Sequence, residues 1–155
     1  MKKDYAKQRL QELEAEKEKL TAILQGPDEP KHAMGIIKTY EDACTVLKLN
    51  PVTQLPISNP KTSEDKAINA VKKLFIVAKA LNEGWVPDWD NSNERKWWPW
   101  FCMDSAGSGF RFDVAYFECT YTYTIVGSRL CFKNKELAQY AGTQFIEIYK
   151  EFMVL

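Results

Sequence analysis

All five tryptophans and the most β-prone run of the chain fall between Trp85 and Phe132, in WVPDWDNSNERKWWPWF followed by CMDSAGSGFRFDVAYFECTYTYTIVGSRLCF. Aromatic and β-branched side chains suit a pleated, half-buried surface and carry the largest apolar area per residue. This stretch is therefore expected to form the ordered centre, with the helical patterns on either side packed against it. WVPDWDNSNE reads as a loop, and KWWPWFCM as a first strand whose Pro99, having no amide, marks an edge or a bulge. DSAGSG supplies a turn. Phe110–Tyr116 and Phe117–Val126 follow as one long or two shorter strands, and Ser128–Phe132 as another. The expectation is an antiparallel meander of about three to four strands. Alternation along TYTYT places Tyr121 and Tyr123 on one face and the threonines on the other.

The flanks are helical. From Lys3 to Gln25 a narrow stripe of Ala6, Leu10, Leu13, Leu20 and Leu24 keeps a heptad-like spacing, interrupted by Lys17, which makes this segment an amphipathic, coiled-coil-like helix available for oligomerisation or for docking on its own domain. Gly26 and Pro27 end it. A polar linker over 27–38 then leads into a single α+β domain over 39–155, leaving 1–26 as an appendage. Thr39 with Asp42 forms a capping box for a short helix facing inward through Ala43, Val46 and Leu47. PVTQLPISNPKTS carries three prolines and no period, and reads as an extended connection from which Leu55 and Ile57 pack on the domain. Thr62 or Ser63 before Glu64 and Asp65 opens the best helix, with Ile68, Val71, Leu74, Phe75, Ala78 and Leu81 on one face. Asn134 caps the last helix, whose apolar face is Leu137, Ala138, Ala141, Phe145, Ile148 and Phe152, running almost to the chain end and packing across the sheet. The fold class is α+β, a meander packed against two main helices.

Composition narrows the function classes. At 155 residues, 45% hydrophobic and 27% charged, the chain is the size of one globular domain with a core of its own. Apolar runs are short and the lysine-rich start lacks an apolar centre, so neither a membrane span nor a secretory signal is expected, and the location is read as cytoplasmic. Lysine plus arginine and aspartate plus glutamate each total 21. A zero formal charge argues against a strong nonspecific grip on duplex nucleic acid. Cys44, Cys102, Cys119 and Cys131 show no C-x-x-C pairing and His32 is the only histidine, so the cysteines read as reduced, mostly buried thiols, and no metal or cofactor is expected.

No catalytic constellation emerges from spacing. Asp88, Asp90 and Ser92 imitate the opening of a calcium loop, but Asn93 stands where the glycine belongs and Pro99 where the closing glutamate belongs. Gly107-Ser108-Gly109 lacks the lysine of a phosphate loop. Asp88, Asp90, Asp104 and Asp113 flank the aromatic stretch as paired acids do in a sugar-cleaving cleft, and also as ordinary turn aspartates do. Lys66, Lys72, Lys73 and Lys79 read as a solvated helix face or as a phosphate-recognising one. The aromatic surplus offers more: Trp97, Trp98, Trp100, Tyr121 and Tyr123, with Arg95, Arg111 and Arg129 nearby, make a candidate binding surface unless helices cover both faces of the sheet.

The wording of ALNEGWVPDWDNSNERKWWPWF, of VGSRLCFKNKELAQYAGTQFIEIYKEF and of YEDACTVLKLNP resembles a family of small uncharacterised proteins encoded by phages and prophages of gut Bacteroidetes, over about Tyr40 to Phe152. Relatives usually carry two tyrosines where Trp97 and Trp98 stand here. The resemblance implies a phage setting and an α+β domain and brings no assigned activity. The expectation is a non-enzymatic phage accessory or structural protein acting through protein contact, as a homo-oligomer or on a host or virion partner. A single-stranded nucleic-acid or nucleotide binder using the aromatic sheet and the lysines is the alternative. A glycan-binding or glycan-cleaving protein is the third.

Overall fold

The structure, a computed structural model, describes Leu13 and residues 29–103 and 109–154. The chain divides into two compact units, Met1–His32 and Ala33–Leu155, and the fold below is that of the second. Of the expected N-terminal stripe, Leu10, Leu20 and Leu24 lie outside the described residues, whereas Leu13 is helical and half-exposed.

The class is α+β. The described elements run α1 (Glu29–Ile36), α2 (Tyr40–Val46), α3 (Ser63–Leu81), β1 (Lys96–Cys102), β2 (Arg111–Glu118), a 3-10 turn (Gly127–Arg129), α4 (Lys135–Gln144) and α5 (Ile146–Met153). The stretch expected to be a linker is thus helical, and Ala33 and Ile37 are buried in the core. Both capping boxes form as the sequence predicts, Thr39 with Asp42 and Thr62 with Asp65. The N-cap threonine accepts from the third helical amide while the aspartate accepts from the threonine amide, satisfying donors that the helix itself leaves open.

Where a meander of three to four strands is expected, the described residues form a two-stranded antiparallel sheet, β1 with β2, irregular between Trp100 and Phe101. A third strand begins and stops at once. Trp97 and Phe132 exchange both backbone hydrogen bonds, at 3.0 and 2.6 Å, as an isolated bridge. Trp97 and Pro99 share strand parity, so the next amide needed on that edge is the one proline lacks. Ser128–Phe132 therefore pairs at Phe132 alone, and residues 120–126 form no strand either. Val126 instead donates to the Tyr123 carbonyl at 3.0 Å, and Gly127 donates to the Thr122 hydroxyl at 3.0 Å.

The terminal helix is likewise two helices, broken at Phe145 (φ −107°, ψ 26°). Just before the break the Thr143 hydroxyl donates back to the Gln139 carbonyl at 2.9 Å, a bond that bends helices. The break redirects the apolar stripe: α4 packs on both strands and α5 on α3. Contact between α4 and the hairpin is so close that a Cβ on Gly142 would lie 2.7 Å from the Pro99 Cβ and closer still to the Phe112 ring.

The inward face of α3 also differs at its start. Leu74, Ala78 and Leu81 are buried as expected, but Ile68 is exposed and Asn69 is buried. Leu55 packs on the core, and the proline-rich connection beside it has backbone groups that need partners. Asn69 supplies them, donating to the Ile57 carbonyl at 2.8 Å and accepting from the Ile57 amide at 3.1 Å. Asn82, at the other end of α3, does the same for the bridge segment, donating to the Cys131 carbonyl at 2.8 Å and accepting from the Lys133 amide at 3.1 Å.

Candidate binding face

Strand alternation splits the tryptophans of β1 between two faces. Trp97 and Pro99 share one, and the Trp97 ring meets that of Phe117, its cross-strand partner, at 4.7 Å with a 42° tilt. Arg95 joins this side, its guanidinium 4.5 Å from the Phe117 ring centre, a cation–π contact. Lys96, Trp98 and Trp100 share the other face.

Lys96 is fully buried. Its ammonium donates to the carbonyl oxygens of Asp88, Asn91 at 3.3 Å, Glu94 at 2.9 Å and Cys119 at 2.8 Å, and pairs with the Glu94 carboxylate at 3.3 Å. The Trp89 ring lies 5.4 Å away. The loop that imitates a calcium site is therefore closed around a cation that the chain supplies itself. Among the described residues no group of three or more histidine, cysteine, aspartate or glutamate side chains is placed to hold a metal ion.

Beyond Lys96 the same face becomes an aromatic surface. Trp98 is 2% exposed, with its ring centre 5.6 Å from Tyr123 and 6.1 Å from Tyr116. Trp100 is 43% exposed and meets Tyr123 at 5.5 Å and Tyr116 at 6.0 Å. These rings form the rim of a groove of about 430 Å³ lined by Trp98, Pro99, Trp100, Phe101, Met103, Tyr123–Val126 and Met153. None of the lining side chains is a carboxylate, an amine, a guanidinium or an imidazole.

The predicted surface is thus partly assembled. Trp98, Trp100 and Tyr123 come together; Trp97 belongs to the opposite face; Tyr121 is 76% exposed and makes no ring contact with the described residues. Arg111 starts β2 across from Cys102, Arg129 ends the 3-10 turn, and neither lines the groove. Asp88, Asp90 and Asp113 are exposed, while Asp104 lies outside the described residues. Tyr116, Ile125 and Met153 were not anticipated. Tyr116 is legible in hindsight, because it is the cross-strand partner of Trp98.

The chain matches no family model, curated protein or solved structure. What the face can do is therefore argued from its own residues. Among the described residues no helix is long and apolar enough to cross a membrane. The lysines of α3 are interleaved with acids: Lys66 and Lys73 line a second cavity, of about 570 Å³, together with Glu41 and Glu151, and Lys73 pairs with Glu151 at 3.8 Å. The free thiols divide by depth, Cys44 and Cys131 buried, Cys102 and Cys119 part-buried. Burial pushes the Cys131 thiol up to about 11, and desolvation raises the Tyr149 phenol as well.

Proposed function

We propose that this protein is a non-enzymatic phage accessory or structural protein that works by protein contact, through the aromatic face of its hairpin. The observation that carries the proposal is the exposure of Trp100, Val114, Tyr116, Tyr123, Ile125 and Met103 on and beside one face of β1 and β2. Large apolar side chains grouped on a surface mark an interaction site, and tryptophan and tyrosine dominate the energetics of protein interfaces. Support for the phage setting comes from the resemblance over about Tyr40 to Phe152. The nucleic-acid alternative finds less support, since no arginine lines the groove and the α3 lysines share their cavity with carboxylates.

Light scattering on the intact chain, on a chain starting after residue 26 and on the double variant Trp100→Ala/Tyr116→Ala tests this. A multimer that falls to monomer in the double variant supports contact through this face, and one that falls only on truncation assigns it to the N-terminal stripe. If the intact chain is monomeric, cross-linking in infected cells replaces scattering. An unchanged cross-linked set in the double variant then overturns the proposal.

A further inference from the structure

The indole N–H of Trp98 is buried and meets no acceptor among the described residues. Buried donors in native proteins nearly always have a partner, so an orphan asks what supplies one. A water held there would need about two to four polar partners and would compete with a ligand for the same N–H. The groove wall beside Trp98 offers only the Thr124 hydroxyl and the Tyr123 phenol among otherwise apolar side chains. Its volume, about 430 Å³, falls inside the range of roughly 300–1,000 Å³ typical of small-ligand sites.

We propose that this groove binds a small, uncharged, flat aromatic molecule whose single hydrogen-bond acceptor pairs with the Trp98 Nε1–H. Each term follows from the lining. Tryptophan nitrogen only donates, so the ligand must accept. An ion would shed its hydration with no counter-charge in the wall, so the ligand is neutral. Trp98, Trp100 and Tyr123 already meet edge-to-face at 5.5–5.6 Å, so a flat ring adds to this cluster from the groove side. Tyr123 stands edge-on to both tryptophans, is 47% exposed and belongs to no helix or strand. Binding requires this ring to swing aside, since the Trp98 N–H is enclosed as it stands.

The test uses the intact chain with 2-acetylnaphthalene, and with 2-isopropenylnaphthalene as the same shape without the carbonyl oxygen. Calorimetric titration is expected to show the ketone binding roughly three- to tenfold tighter than the hydrocarbon, the worth of one neutral hydrogen bond. In a nitrogen-15 correlation spectrum the ketone shifts one of the five tryptophan indole signals, the one missing from Trp98→Phe. That variant binds both compounds equally, and Ile125→Trp, which fills the groove, binds neither. Failure of both compounds to bind the intact chain overturns the proposal. So does equal affinity for the two, or a shift confined to another indole; should Trp98→Phe not fold, these intact-chain readouts still decide. None of these outcomes bears on association through the rim, which light scattering reads separately.

Discussion

Lys96 Nζ donates to the carbonyl oxygen of Cys119 at 2.8 Å, tying the first residue of β1 to the residue just past the end of β2. The same ammonium gathers the carbonyls of Asp88, Asn91 and Glu94, so one side chain closes the hairpin's open end and shapes the tryptophan-bearing loop before it. Replacing Lys96 with Met keeps the length and removes every donor. Four carbonyls then lose this donor together, and the Glu94 carboxylate keeps only the Asp88 amide. The expected cost is about 3–5 kcal/mol, the range for breaking a buried charged contact from one side, out of a total of roughly 5–15 kcal/mol for a domain. Urea unfolding followed by tryptophan fluorescence checks it, and a loss below about 1 kcal/mol would mean that the ammonium is solvated in solution.

Gly142 and Gly35 are both helical, and they predict opposite outcomes on substitution by alanine. A methyl at Gly142 runs into Pro99 and Phe112, whereas a methyl at Gly35 meets nothing within 4 Å among the described residues. Alanine is worth up to about 1 kcal/mol over glycine within a helix, so Gly35→Ala is expected to raise stability by a few tenths to about 1 kcal/mol, the low end reflecting its place near the helix end. Gly142→Ala gains the same propensity and overpacks the seam between α4 and the hairpin, with a net loss of about 1–3 kcal/mol. Thermal melting of the two variants side by side measures the difference, and equal shifts would show that α4 stands further from the sheet.

How much of this was written in the sequence depends on whether the signal was local. Capping boxes at Thr39 and Thr62 were legible because threonine, a three-residue spacing and an acid settle the geometry within one turn. The aromatic face was half legible: Trp97, Trp98, Trp100, Tyr121 and Tyr123 all stand in the candidate surface read from the sequence, but which of them the hairpin buries or turns away depends on partners far along the chain. Pro99 was read as an edge or bulge residue, and its consequence, the arrest of a third strand one pair after Trp97 and Phe132, needed the register. Lys96 gave no signal. A strand lysine is ordinarily a solvated residue, and only four carbonyls from separate turns make it a buried anchor. Asn69 was hidden for the same reason, its partner Ile57 lying in a segment without period.

Asp42 and Asp65 give the stability a dependence on acid. Backbone amides of Lys38 and Thr39 donate to Asp42 at 3.0 and 2.9 Å, and those of Lys61 and Thr62 to Asp65 at 2.9 and 3.2 Å. These bonds, first among them the Lys38 and Lys61 amides, hold both carboxyls below the ordinary aspartate range. A carboxyl whose folded value is depressed stabilises the fold above its unfolded value, near pH 4, and that contribution is lost as the pH falls through the folded value. Unfolding midpoints in urea are therefore expected to drop between about pH 4 and pH 2. The double variant Asp42→Asn/Asp65→Asn should show a shallower drop from a lower starting point, and an identical pH profile would dismiss the capping carboxylates as its source.

The thiols separate by accessibility and by proton affinity at once. Cys131 is fully buried, and its thiol is pushed up to about 11 by desolvation, so at pH 8 its reactive thiolate is scarce as well as enclosed. Cys44 is equally enclosed, on the buried side of α2, whereas Cys102 and Cys119 are part-buried at the two ends of the hairpin. A disulfide reagent at pH 8 should modify Cys102 and Cys119 in a fast phase and Cys44 and Cys131 only as the chain unfolds, the slow phase accelerating with urea. Because Cys119 offers its carbonyl to Lys96, bulky modification there should also loosen the ammonium cage, and modification of Cys102 should not. Unfolding of singly modified protein, sorted by peptide mapping, separates the two, and equal destabilisation would detach the thiol of Cys119 from the anchor its backbone helps to build.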